Sequence, residues 1–235
     1  MDYLSAETSC SFDLFRDYMN KISDKHFHIF IGNSLGYIKN PGAVFKSCSD
    51  YIVVLTKLPE TYTNDSRSSD NKTYAQCRGD KFLVNDIINK FEVSKKRDRI
   101  QNSCYAKKQI WYIVGEIVQA DDYDKYVQNI SSRGIHYFKT IEQAFYWELG
   151  KIPTYSGDWI MWHHDGNLSA LVNLKNGKPY GKCKLFYNYN MRIAHEGEYV
   201  DGEKHGQWYN YDICGGKLDI TIYDMGKTLA LLPWW

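Results

Sequence analysis

The stretch NGKPYGKCKLFYNYN, Asn176 to Asn190, nearly recurs twenty-five residues later as DGEKHGQWYNYDICG, Asp201 to Gly215. Gly177 aligns with Gly202, Gly181 with Gly206 and Phe186 with Tyr211, while Leu174 and Tyr199 each stand three residues ahead of the first glycine. A third, degraded copy follows at Tyr223, Gly226 and Lys227. Asn-Gly and Asp-Gly are strong hairpin signals, so each copy is expected to be two short strands joined by a tight turn. The second glycine lets the chain bend or approach a neighbouring backbone. One such hairpin cannot bury enough surface alone, so the copies must stack and share a core. DGNL, Asp165 to Leu168, and GGKL, Gly215 to Leu218, read as turns between copies, and the terminal LPWW as a closure of the open edge.

Working back from the repeat, the texture changes at Ile152-Pro153, where helix-like periods give way to glycine-separated aromatic runs. The expected organisation is an N-terminal mixed domain, 1–152, followed by a hairpin-repeat domain, 153–235. The fold class is α+β, mainly antiparallel β. In the first part, Phe12, Phe15, Met19 and Ile22 suggest a short helix, and HFHIFI, His26 to Ile31, a strand. YIVVLTKL, Tyr51 to Leu58, is a buried strand ended by Pro59. ETYTNDSRSSDNKTY, Glu60 to Tyr74, reads as an exposed polar loop. KFLVNDIINKFEV returns to apolar character, and IWYIVGEIV and GIHYF are further strand candidates. In TIEQAFYWELG, Thr140 caps a helix, Gln143 completes the capping box and Gly150 stops it.

Composition removes several classes of function. The chain has 235 residues, 43% hydrophobic, which suffices for a real core. A net charge of +1 with 24% charged residues gives no global drive toward nucleic acid or membranes. No run approaches the roughly 18 apolar residues that span a bilayer, and the N-terminus lacks a secretory pattern. The expected location is therefore intracellular. The six cysteines, Cys10, Cys48, Cys77, Cys104, Cys183 and Cys214, form no CxxC pair, so free thiols are expected and no metal site or cofactor.

Chemistry-bearing residues are sparse. His136 on a strand just before a capped helix, with Glu142 and Glu148 near it in sequence, is the candidate for acid–base work, although no nucleophile, phosphate loop or metal spacing accompanies it. The ordinary alternative is a hydrogen-bonded structural histidine. His163 and His164 are adjacent and point apart on a strand, which disfavours a shared metal. Asp121, Asp122 and Asp124 lack the glycine and glutamate of a calcium loop. The basic run Lys95 to Arg99 reads as a solvated loop, and Cys104 beside Lys107 and Lys108 has an undefined setting. The repeat offers a surface instead: Lys182, Lys184, Tyr187, Tyr189, Tyr199, Trp208, Tyr209 and Tyr211 are candidates to bind protein or lipid headgroups, unless the alternating aromatics simply fill a core.

The best copy, Tyr199, Asp201, Gly202, Gly206 and Trp208, resembles MORN repeats and the related YwqK-type antitoxin repeats over roughly residues 160 to 228. Cys183 stands where Trp208 does, and Leu174 where Tyr199 does. DYIVVLTKLP, YAQCRGDKFLVNDI and the set from YIVGEIVQADDYD to SRGIHYFKTIEQAFYW resemble an uncharacterised domain of large nucleocytoplasmic DNA virus proteins, which precedes repeat arrays. The second resemblance implies a viral origin. The expected function is a non-enzymatic protein-binding or scaffold protein of a large DNA virus, in host cytoplasm or virion, with a minor virion or capsid component as its specific version; its expected partners are other proteins, viral structural proteins among them. The alternatives are an intracellular effector enzyme centred on His136 and Glu142, and a lipid-binding repeat module. No specific nucleic acid is expected as a partner.

Overall fold

The computed structural model describes residues 25–40, 42–102 and 110–233. The expected first helix, Cys10, and Cys104 with Lys107 and Lys108 lie outside them, as do Trp234 and Trp235 of the terminal closure. The elements are α1 (Lys25–Ile38), β1 (Ala43–Cys48), β2 (Tyr51–Thr56), β3 (Cys77–Gly79), β4 (Lys81–Asn89), β5 (Arg99–Gln101), β6 (Trp111–Ile113), β7 (Ile117–Gln119), β8 (Ile135–Tyr137), α2 (Ile141–Tyr146), a 3-10 turn (Leu149–Lys151) and seven further strands. These last are β9 (Gly157–Trp162), β10 (Leu168–Lys175), β11 (Lys178–Phe186), β12 (Ile193–Val200), β13 (Glu203–Tyr211), β14 (Lys217–Asp224) and β15 (Lys227–Pro233). The chain is thus α+β and mostly antiparallel β. It divides into an N-terminal unit, 26–152 with 162–167, and a hairpin unit that includes 153–161 and 168–233.

In the N-terminal unit, a four-stranded sheet runs in the order β1-β2-β4-β7. Its middle strand β2 is buried from Tyr51 to Leu55, as a continuous apolar run should be. The short pair β3-β8 sets Arg78 opposite His136. HFHIFI, expected as a strand, belongs to helix α1. Phe27, Phe30 and Ser34 recur at helical spacing and are buried, and both phenylalanine rings pack on Phe145, at 5.3 and 5.0 Å between centroids. A short apolar run does not distinguish the two structures, and the helical partner decides.

Helix α2 begins at the expected cap, where the Thr140 hydroxyl accepts from the Gln143 backbone N–H at 3.4 Å, but the Gln143 side chain, expected to complete a capping box, donates instead to the Tyr74 carbonyl. The helix ends at Tyr146 rather than at Gly150: Trp147 turns to extended backbone with ψ 126 degrees, Glu148 takes a left-handed conformation with φ 63 degrees, and the Trp147 carbonyl finds partners outside the helix. The Lys90 ammonium donates to it at 2.8 Å and the Ser47 hydroxyl at 3.3 Å. The loop from Glu60 to Tyr74 is not simply an exposed one. Asn64 and Arg67 are buried, and Asp65 accepts from Tyr137 at 2.6 Å and pairs with Lys57.

The hairpin unit is a seven-stranded antiparallel meander, β9 to β15 in chain order. The repeat shows itself as three geometrically alike turns. Asn176-Gly177, Asp201-Gly202 and Met225-Gly226 have φ of 53 and 73, 50 and 93, and 43 and 81 degrees. Positive φ at both positions is the twist that joins two-residue hairpins. The register breaks also recur. β10 advances two residues from Leu171 to Asn173 while β11 covers four, from Lys184 to Tyr180; β12 advances two from Glu196 to Glu198 while β13 covers four, from Tyr209 to His205. The second glycine of each copy, Gly181 or Gly206, sits inside its bulge.

The core of this sheet is an aromatic stripe. Trp208 is 1% exposed and is flanked edge-on by Tyr199 at 5.1 Å and Tyr223 at 6.1 Å, and the Lys204 ammonium lies 4.1 Å from its ring centroid. The indole lies over Gly197, where an added Cβ would stand 2.5 Å from the ring. In the preceding copy the same two places are held by Cys183 and Val172. The replacement of tryptophan by cysteine is therefore matched by glycine to valine on the strand beside it, which offsets part of the lost packed volume.

Candidate functional site

The repeat residues expected to form a binding surface separate into two groups. Trp208 is core, and Tyr199 packs against it. Tyr189 is 76% exposed, and Lys182 is exposed as well. Lys184, Tyr187, Tyr209 and Tyr211 are half-buried: the Tyr187 hydroxyl donates to the Tyr211 carbonyl at 2.7 Å, Tyr209 to Gln207 at 2.9 Å, and Tyr211 to the Glu196 carboxylate. Burial and Glu196 push the Tyr211 phenol up to about 12. Across β11 and β12, Lys182 stands opposite Glu198 and Lys184 opposite Glu196, so the sheet carries no local excess of positive charge there. Three exposed apolar residues cluster elsewhere, on the last strand: Leu229, Leu231 and Leu232 are 65%, 63% and 47% exposed.

His136 occupies a different setting, a cleft of ≈ 810 Å³ in the N-terminal unit. Its Nε2 faces the Ile130 carbonyl at 3.0 Å, and a carbonyl can only accept, so the neutral ring carries its proton on Nε2. Nδ1 is left as an acceptor with no partner among the described residues. Burial, followed by the positive charges of Lys46, Arg78 and His164, holds the imidazole below its ordinary range despite the Ile130 contact. Lys46 rises from β1 on the same side, and its ammonium donates to the His136 carbonyl at 3.1 Å. His164 lies in the turn after β9 with Nδ1 2.7 Å from Gln76 Oε1, and both residues line the cleft.

The pairing of His136 with Glu142 expected from sequence is not formed. Glu142 does not line the cleft; its carboxylate contacts the Tyr74 hydroxyl at 3.3 Å and is pushed upward by burial. A short helix turns its first-turn side chain away from the strand that precedes it. Glu148 lines the cleft instead, in a left-handed backbone conformation with φ 63 degrees, and is paired with Lys151 at 2.7 Å. The apolar wall is Ile110, Tyr112, Phe138 and Trp147, the last two with ring centroids 5.1 Å apart. Lys46, Gln76 and His164 carry no motif, and only the strand pairing brings them to His136.

Among the described residues no group of three metal-ligating side chains converges. Asp124 accepts from Asn129 at 2.8 Å, from Ser132 at 2.6 Å and from the Tyr126 N–H at 2.9 Å, and these donors hold its carboxyl far below the ordinary range. The aspartate run therefore ties the 124–133 loop together. The described cysteines are free thiols: Cys48, Cys77 and Cys183 are buried, and Cys214 is exposed. No described helix is long and apolar enough to cross a membrane.

No curated protein and no solved structure matches the chain. Residues 32–144, which contribute most of the cleft and end before the hairpin sheet, match the model of a family of unknown function, DUF5758.

Proposed function

We propose that the chain is a non-enzymatic scaffold of a large DNA virus, a minor virion component whose MORN-like hairpin sheet takes up a strand from a viral structural protein. The observation that carries this reading is the edge strand β15. It ends the sheet, and among the described residues no strand pairs with its outer side. Both faces are exposed along Lys227–Pro233, with Leu229 and Leu231 among the most exposed apolar residues described. Edge strands of this kind are ordinarily blunted by charge or a bulge, and an extended partner strand would use the open backbone groups while the leucines supply apolar contact. The three alike turns support the MORN-like part, and the resemblance of the N-terminal residues supports the viral part. A lipid surface is less well served, because Glu196 and Glu198 face Lys184 and Lys182.

The test is quantitative mass spectrometry of purified particles against infected-cell lysate, with a photo-crosslinking residue at Leu231. A fixed ratio to the major capsid protein and one dominant viral adduct, lost on Leu229→Lys, is the expected result. Absence from particles, or an adduct pattern indifferent to Leu229→Lys, would overturn the reading.

A further inference from the structure

Two arginines in the N-terminal unit are buried without a direct ion pair among the described residues. Arg78, 0% exposed, gives Nε–H to the Asn129 carbonyl at 2.8 Å, Nη2 to that of Tyr126 at 2.6 Å, and Nη1 to those of Asp124 and Arg133. Its guanidinium also lies 4.9 Å from the Tyr123 ring centroid. Arg67, 3% exposed, gives Nη2 to the carbonyls of Gln76, at 3.0 Å, and His164, and its buried Nε has no partner among the described residues. Carbonyl dipoles stabilise a guanidinium but leave its charge in place, and buried charges are costly unless an anion compensates them. Two whole positive charges therefore stand behind the wall that Gln76, Arg133, His136 and His164 present to the cleft.

Lys46 adds a third cation at the cleft surface and makes no ion pair among the described residues. The nearby carboxylates are already engaged: Glu148 with Lys151, Asp122 with Arg133, and Asp124 with Asn129 and Ser132. Asp124 offsets part of the Arg78 charge through its field, while Arg67 and Lys46 have no ion pair among the described residues, which leaves the wall with an excess of positive charge. On the other side, Trp147 offers a ring that is 38% exposed beside buried Phe138. Such a cleft, mostly apolar with a few convergent polar groups and of this volume, is the usual form of a small-molecule site.

We propose that this cleft binds a small organic anion, a phosphate or carboxylate on a planar apolar body, with the anionic group at Lys46 and His136 and the body against Trp147. The Lys46 ammonium supplies a charge-assisted hydrogen bond. Nδ1 of His136 accepts from a protonated ligand oxygen or takes up that proton itself. The buried arginines act through the field, without touching the ligand.

The full chain, isotope-labelled and assigned at its His and Trp rings, would be titrated with 1-naphthyl phosphate, 1-naphthoate and the neutral 1-naphthylmethanol. The anionic probes should shift the His136 and Trp147 resonances and bind at least about tenfold more tightly than the alcohol. The tighter of the two anions names the group. Lys46→Gln should cost about tenfold in affinity, and Lys46→Arg should recover most of it. Equal binding of the alcohol, or no shift of either ring at millimolar probe, would overturn the proposal. That comparison uses the unaltered chain, so it stands even if Lys46→Gln fails to fold. Leu229→Lys should leave probe binding unchanged, which separates this site from the edge strand.

Discussion

The hairpin unit and the N-terminal unit are both built on antiparallel sheets with apolar cores, yet the N-terminal unit also buries polar and charged side chains and the hairpin unit almost none. The hairpin sheet closes its core with Trp208, Tyr199, Tyr223 and Val172. Of the buried polar and charged residues described, all but Thr221 lie in the N-terminal unit, including Arg67, Arg78 and Lys90. One unit gains stability from repeated local packing, and the other spends part of its core on holding charge where a cleft can use it. Pairing distance follows the same division. Each hairpin strand pairs with its neighbour in sequence, whereas β3 finds β8 across the whole of 80–134.

The largest expected effect lies in the hairpin unit. Trp208→Ala removes the centre of the stripe and should lower stability by about 3–5 kcal/mol in denaturant unfolding, with the loss confined to hydrogen exchange in β11 to β14. The sharper form of the experiment copies one repeat into the next. Gly197→Val alone drives a side chain into the indole and should cost about 1–3 kcal/mol. Trp208→Cys alone leaves a cavity. The double substitution reproduces the Val172 and Cys183 pair and should be less destabilising than the sum of the singles. Strict additivity would show that the two copies do not share a packing rule.

What was legible in the sequence follows from that division. The glycine spacing disclosed the hairpins because a two-residue turn with positive φ needs particular residues at particular places. It did not disclose Gly197, because that glycine answers a ring on another strand. Thr140 announced the start of α2, but the partner of the carbonyl just past its end is Lys90, 57 residues earlier in the chain. Of the site, His136 was visible as a histidine before a helix. Lys46, Gln76 and His164 were not, since Lys46 reaches the site through the backbone bridge of Phe45 with Phe138, and the other two through the pairing of β3 with β8 and the turn that follows β9. The polar loop looked solvent-exposed because Asn64 and Arg67 carry no sign, in sequence, of the carbonyls and amides that receive them.

A second prediction reverses the sign. Lys90 is fully buried near Glu148 and Asp50, and burial lowers its ammonium to about 7 in spite of those carboxylates. In the unfolded chain it titrates near its ordinary 10.5, so between about 7 and 10.5 the unfolded state binds the extra proton and wild-type stability rises with pH. Lys90→Met, which keeps the volume and removes the charge, should be more stable than wild type by about 2 kcal/mol at pH 6. The gap should close as pH rises above about 7 and reverse before pH 10, and Ser47 still serves the Trp147 carbonyl. A pH-independent difference would show that Lys90 is not a cost the N-terminal unit carries.

The smallest effect tests whether the third repeat is a copy at all. Met225 holds φ of 43 degrees in a turn whose earlier versions begin with Asn176 and Asp201. Asparagine and aspartate tolerate that backbone through local hydrogen bonds, whereas methionine gains nothing from it. The turn therefore persists because β14 and β15 are already paired from Asp219 to Asp224, and the sheet imposes on Met225 what the sequence no longer encodes. Met225→Asn should then stabilise the hairpin unit by about 1 kcal/mol, read as a higher unfolding midpoint with an unchanged slope. If the substitution is neutral or harmful, the turn is not strained, and the likeness of the third copy to the first two is one of shape alone.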